Sequence, residues 1–330
     1  MTSKPPKDIT PLDFEKPIVE IEDRIQALLS QVSEQVSQHG ETLDDEIEAL
    51  KNKAQTIRNK VYAALTPLQK LQIARHPQRP NFTELIQLLS PECWFELHGD
   101  RAGMDDRAIL GGIIELACGP VMVIGTQKGK GMKENLTHNF GMANPEGYRK
   151  ALKLFYHAEK FKMPILTLID TPGAYPGIMG EQNGIGQAIA FNIREMARLK
   201  TPIVSVVTGE GASGGALGVG VANKIYMMEH ALYTVISPEG CASILWRDAA
   251  FAEKAADALK ITAQDLIAMG ISDGIIAEPS GGGHRDPVKF AQAIVDTIVP
   301  VLSTLKQETG DALTNQRYEK YRSIGAFAIA

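Results

Sequence analysis

The sequence is poor in the residues that build disulfide and metal frameworks. Its three cysteines, Cys93, Cys118 and Cys241, lie far apart with no C-x-x-C pair. That argues against a zinc ribbon or a disulfide scaffold and fits a reducing compartment. A basic excess is lacking too: 34 Lys+Arg against 39 Asp+Glu leave a formal net charge of -5. No blanket attraction for nucleic acid or an anionic membrane follows, and neither partner is expected. No stretch approaches the roughly 20 apolar residues that span a bilayer. The opening MTSKPPKDITPLDFEKP has no apolar run behind its lysines, so a cytoplasmic location is expected. G-x-x-x-x-G-K-[ST] is also missing, which argues against ATP chemistry in this chain.

What is present is a chain of 330 residues, 44% of them hydrophobic, enough for a large core and an appendage. Residues 1–17 read as a proline-rich, extended lead-in. Ile18, Ile21, Ile25, Leu28, Leu29 and Val32, then Leu43, Ile47, Leu50, Ile57, Val61 and Leu65, recur at steps of three and four. This spacing predicts two amphipathic helices, broken near His39-Gly40, that pack on the main domain or on another chain. Thr66-Pro67 ends them, and RHPQRPNFTELIQLL (75–89) supplies prolines and a short helix.

From about Glu96 strands and helices alternate. Strands are expected at 108–115, 121–127, 165–170, 203–208, 225–228 and 233–236, and helices at 145–161, 181–199 and 214–222. A helix at 288–305 closes the core and a charged tail follows. The alternation predicts an α/β layered domain with largely parallel strands.

The decapeptide GEGASGGALG (209–218) fits two motifs at once. Gly209, Gly211 and Gly214 match the dinucleotide fingerprint, with Glu229 placed as a ribose-binding acid. Gly211, Ser213 and Gly215 match the nucleophile elbow of hydrolases, with His230, His284, Asp257 and Asp273 downstream. A third reading uses no side chain: backbone amides at a glycine-opened turn hold an anion or a developing oxyanion. LTLIDTPGAYPGIMGE (166–181) repeats the design, with Pro172 and Pro176 fixing a loop in which Gly173, Gly177 and Gly180 leave space. The structural alternative is a pair of tight turns.

LIDTPGAYPG, GEGASGGA, YTVISPEGCASILW (233–246) and EPSGGGHRDP (278–287) stand in this order. They are preceded by RHPQRP (75–80), ELHGDRAGMDDRAILGG (96–112) and GTQKGKGMKENLTHNFGMANPEGYRKAL (125–152). Over about residues 12–298 the chain resembles the alpha-subunit family of the acetyl-CoA carboxylase carboxyltransferase of bacteria and plastids.

The resemblance implies a crotonase/ClpP-like α/β fold, a superhelix of ββα units whose strands form two nearly perpendicular sheets. It divides the chain into an N-terminal helical region (1–95), the carboxyltransferase domain (96–305) and a tail (306–330). It also implies transfer of a carboxyl group from carboxybiotin, tethered to the biotin carboxyl carrier protein, to acetyl-CoA, giving malonyl-CoA for fatty acid biosynthesis. ATP use then belongs to a separate biotin carboxylase. The chain would be active only with a beta subunit, as two alpha and two beta chains, with zinc confined to beta. A plastid member would sit in the stroma.

Carried onto this sequence, the resemblance makes the amides of Gly214, Gly215, Ala216, Gly173 and Ala174 oxyanion-hole donors. Gly177, Tyr175 and Ser213 fall on the biotin side, with the Ser213 hydroxyl as a helix cap. Lys128, Lys130 and Lys133 form a basic loop that meets CoA phosphates or the carrier, or is simply solvated. The rival on the same fold is an acyl-CoA hydratase or isomerase with Glu210 or Glu239 as base. Arg75, His76, Arg79, His284 and Arg285 are expected near the subunit junction rather than in catalysis.

Overall fold

A computed structural model describes residues 10–34 and 40–325, with side chains described for 10–30 and 45–325. The start of the lead-in, His39 of the expected helix break, and the Val32 and Leu43 side chains lie outside the described residues. Helices α1 (Lys16–Glu34) and α2 (Gly40–Ala63) pair through Ile25, Ile47 and Ala54, with Ile21, Leu28 and Leu50 packed against them. Thr66-Pro67 starts α3 (Pro67–Ala74) as well as closing α2. Thr66 accepts the Gln69 N–H, and Pro67 occupies a first-turn position where no N–H is needed. The short helix α4 (Phe82–Leu89) begins with the same kind of capping box, Asn81 with Glu84.

The remaining elements run β1 (Trp94–Glu96), β2 (Ile109–Leu116), β3 (Gly119–Thr126), α5 (Gly131–Thr137), α6 (Pro145–Lys160) and β4 (Ile165–Thr171). Then come α7 (Ile178–Gln182), α8 (Ile185–Arg198), β5 (Ile203–Ala212), α9 (Ser213–Leu217), β6 (Lys224–Met228) and β7 (Leu232–Thr234). The chain ends with α10 (Pro238–Trp246), α11 (Ala252–Leu259), α12 (Ala263–Ala268), β8 (Gly274–Ile276), α13 (Pro287–Leu305) and α14 (Gly310–Ser323).

The strands bond in the order β1-β2-β3-β4-β5-β6-β8, with β7 attached to β5. The β1–β2 and β2–β3 pairs are antiparallel and the rest parallel. Every residue of β5 is buried, as expected of a strand covered on both faces. Two nearly perpendicular sheets were implied; the described strands instead form one hydrogen-bonded sheet that forks. β5 is ten residues long, pairing with β6 through Val204–Val207 and with β7 through Glu210–Ala212. Between the two stretches its register against β4 jumps from Ile169↔Val207 to Thr171↔Gly211, so Asp170 alone opposes Thr208, Gly209 and Glu210.

Three helical expectations change. The helix expected at 181–199 is divided between α7 and α8 at Gly184, whose φ of +80° suits glycine. The helix expected at 214–222 shortens to the five residues of α9. The charged segment beyond Leu305, expected as a tail, contains α14, whose Arg317 is completely buried and donates to the carbonyls of Leu199 and Thr201 and to Asn223 Oδ1. One exception to the hydropathy reading stands beside these: α13 is long and apolar enough to cross a bilayer by length and composition. Here it buries Phe290, Ile294, Ile298 and Leu302 in the core.

Candidate active site

The glycine loops after β4 and β5 meet. A Cβ placed on Gly215 would lie 2.4 Å from the Gly173 carbonyl carbon and 2.5 Å from the Ala174 nitrogen, far inside van der Waals contact. Gly173 itself has φ +143°, a conformation that L side chains rarely adopt. Behind the contact, Tyr148 is fully buried and its hydroxyl donates to the Gly215 carbonyl (3.2 Å). Burial and the Asp106 carboxylate push that phenol far above its ordinary value, so it remains a donor.

Not every expected donor amide is available. The Gly173 N–H donates to Thr171 Oγ1 (3.1 Å), whose hydroxyl also reaches the Gly141 carbonyl at 2.7 Å and the Gly173 carbonyl at 2.8 Å. Ala216 is the fourth helical residue of α9, the first position whose N–H is directed along the helix to an acceptor one turn back. Gly173 and Ala216 therefore shape the wall without offering free donors. The Ala174 N–H has no partner among the described residues, and the Ser213, Gly214 and Gly215 amides precede the first intrahelical bond.

Ser213 does not cap the helix. The N-cap is Ala212, without a side-chain cap, and Ser213 is an exposed residue with φ +56°. Its hydroxyl has no hydrogen-bond partner among the described residues. Tyr175 anchors its own loop: its N–H donates to the Ala143 carbonyl (3.0 Å) and its ring lies over Gly177, where a Cβ would come within 2.4 Å of it.

The basic loop after β3 is built into the site's rear. Lys128 Nζ lies 2.7 Å from Asp170 Oδ1 and 3.4 Å from Glu210 Oε2. Burial pushes the ammonium down, but the two carboxylates outweigh it and hold its pKa above the ordinary value. Arg75 donates through Nε (3.1 Å) and Nη2 (2.6 Å) to Glu210 Oε1, and through Nη1 to Glu239 (2.6 Å). Burial pushes the Glu210 carboxyl up; Lys128 and Arg75 more than reverse that and keep it ionised below its usual range. Lys130 pairs with Glu84 at 2.6 Å, and Lys133 is exposed. Arg75, Lys128, Lys130, Phe140, Asp170 and Pro172 help line a cavity of about 300 Å³ beside the β4 loop.

This arrangement answers the motif ambiguity. A hydratase base needs a free carboxylate, and Glu210 and Glu239 are both ion-paired with Arg75. A hydrolase needs a histidine on its serine. His284 stacks on His76 instead (3.9 Å between centroids), and His230 sits against Tyr62 near the buried Arg79–Glu278 pair. Burial, His76 and neighbouring arginines push His284 down to about 2. Glu229, the would-be ribose acid, accepts the Glu278 N–H.

Comparison with known proteins identifies the family. A family described as acetyl co-enzyme A carboxylase carboxyltransferase-like matches residues 11–325. The chain belongs to this family.

Its curated relatives include the acetyl-coenzyme A carboxylase carboxyl transferase subunits alpha of Prochlorococcus marinus strains MIT 9215 and MIT 9211. Both are 50% identical, over 97% and 96% of this chain and 94% of each relative. The fold is that of crotonase-like carboxyltransferases. A Pseudomonas malonate decarboxylase hetero-tetramer solved with coenzyme A is similar at TM-score 0.57 and 17% identity, covering 72% of this chain and 93% of that one. Transcarboxylase 12S is similar at 0.55 and 19%, covering 70% and 43%. This family member is an acetyl-CoA carboxylase carboxyltransferase subunit.

Proposed function

We propose that the chain is the alpha subunit of a heteromeric acetyl-CoA carboxylase carboxyltransferase and that Ala174, Gly214 and Gly215 form its carboxybiotin-side wall. The supporting observation is the backbone contact between Gly215 and Gly173-Ala174, which leaves no room for a side chain at Gly215. Releasing the carboxyl group builds negative charge on the biotin ureido oxygen, and enolising acetyl-CoA builds it on the thioester oxygen. Fixed amides stabilise such charge without reorganising, typically by about 3 kcal/mol per donor. The freed biotin nitrogen can take the acetyl proton, so no side-chain base is needed on this chain.

On this reading the beta subunit completes the site in an assembly of two alpha and two beta chains and carries the zinc. The carrier protein delivers carboxybiotin, a separate biotin carboxylase loads it, and the assembly works in the cytoplasm or plastid stroma. The test is malonyl-CoA decarboxylation in the presence of biocytin. Activity is expected only when this chain and the beta subunit are mixed; activity of this chain alone, or none in the mixture, contradicts the proposal.

A further inference from the structure

Between its two pairing stretches β5 carries a bulge, and side chains satisfy it almost completely. Asp170 Oδ1 accepts the Glu210 N–H (2.9 Å), Arg79 Nε donates to the Thr208 carbonyl (2.8 Å), and Thr208 Oγ1 donates to the Ile169 carbonyl (3.2 Å). A Cβ on Gly209 would lie 2.5 Å from Asp170 Oδ1, so a larger residue there displaces the carboxylate that accepts the Glu210 N–H. Bulges of this kind re-aim a strand next to an active site. Here the re-aimed end is Glu210–Ala212, which leaves β6, joins β7 and delivers Ser213-Gly214-Gly215 against Ala174.

The bulge is held from three other segments. Lys128, just past β3, bridges the Asp170 and Glu210 carboxylates; Arg75, just past α3, forks onto Glu210 and continues to Glu239 on α10. Two cations and three carboxylates share one partly buried cluster, so removing Lys128 leaves Asp170 and Glu210 facing each other beside Arg75 alone. Either the bulge opens or one carboxylate takes up a proton.

We propose that Lys128, Asp170, Glu210 and Arg75 are positioning residues for carboxyl transfer, locking the β5 bulge so that the Gly214 and Gly215 amides and the Ala174 amide converge. This rests on the carboxyltransferase reading above. None of the four needs to touch substrate; their effect passes through backbone geometry, where a displacement near 1 Å costs about a hundredfold in rate.

The experiment compares Lys128→Met, Lys128→Arg and Gly209→Ala in the complex with the beta subunit. It follows kcat and KM for malonyl-CoA in biocytin-dependent decarboxylation from about pH 6 to 8.5, with thermal melting of each variant. At pH 8, Lys128→Met is expected to lose about ten- to a hundredfold in kcat with KM unchanged within about twofold. The deficit shrinks toward pH 6, as a proton takes the place of the ammonium between the carboxylates. Lys128→Arg recovers most of the loss. Gly209→Ala, which disturbs the bulge without changing charge, shows the same kcat loss with no pH dependence of its own, and serves alone if Lys128→Met does not fold. A Lys128→Met or Gly209→Ala complex with wild-type kcat overturns the proposal. So does a loss that appears in KM, or one that Lys128→Arg does not relieve. An inactive wild-type complex instead refutes the carboxyltransferase reading itself.

Discussion

Gly215 touches Gly173: a single methyl on the first would sit 2.4 Å from the carbonyl carbon of the second. The two loops can share one wall only while both positions stay glycine. Gly215→Ala is therefore expected to push the Ala174 and Gly214-Gly215 amides apart. The complex should lose about a hundredfold or more in kcat, the scale of a lost oxyanion donor. Steady-state kinetics of the reconstituted complex checks it, and near-wild-type kcat would count against these amides as the reacting wall.

Ser213 has the left-handed backbone of a nucleophile elbow, φ +56°, without a histidine on its hydroxyl. No fluorophosphonate labelling of Ser213 is expected at neutral pH. Mass spectrometry of the treated protein decides, and a stoichiometric adduct would revive the hydrolase reading.

Acid should loosen the N-terminal helices from the core. His76, His230 and His284 lie buried between them, all with pKa values held below the ordinary value chiefly by burial, His284 at about 2. Below the unfolded value of about 6.5 the unfolded chain binds more protons at these sites than the native one. Stability then falls as pH drops from about 6.5, by up to about 1.4 kcal/mol per pH unit per histidine. Glu278, held at about 2 against burial by Arg79 and His230, adds to the loss below its usual carboxylate range. Denaturation midpoints from pH 7.5 to 4.5 test this; a flat or rising profile contradicts it.

The hydrogen bonds of Arg317 all go to carbonyl oxygens, and burial, only partly opposed by Tyr321 and Glu159, lowers its pKa to about 10. Arg317→Ala strips donors from the Leu199 and Thr201 carbonyls and from Asn223 Oδ1, and is expected to destabilise by about 3 kcal/mol or more. Chemical denaturation measures it, and a change below about 1 kcal/mol would show that α14 adds little to the fold.

The parts legible in the sequence were those governed by local pattern. The apolar runs 165–170 and 203–208 read as strands because both faces are covered, and 145–161 as a helix because its apolar residues recur at helical spacing. β1 and β8 escaped because three residues carry no period, and α14 because its deepest residue is an arginine rather than part of an apolar stripe. Of the site, the two glycine loops were legible, since glycine and proline placement is itself a backbone statement. Which amides are free was not, because the Thr171 hydroxyl and the start of α9 decide it. The Arg75–Glu210 pair joins residues 135 positions apart, a contact that local pattern cannot encode.

The central claim is that this chain and a beta subunit together move a carboxyl group through an amide-lined wall. The most direct measurement supplies carrier protein bearing labelled carboxybiotin, adds acetyl-CoA, and follows label into malonyl-CoA with wild-type or Gly215→Val chain in the complex. The account predicts labelled malonyl-CoA from the wild-type mixture, none from either subunit alone, and a loss of two orders of magnitude or more for Gly215→Val. Equal labelling with wild-type and Gly215→Val chains would contradict it.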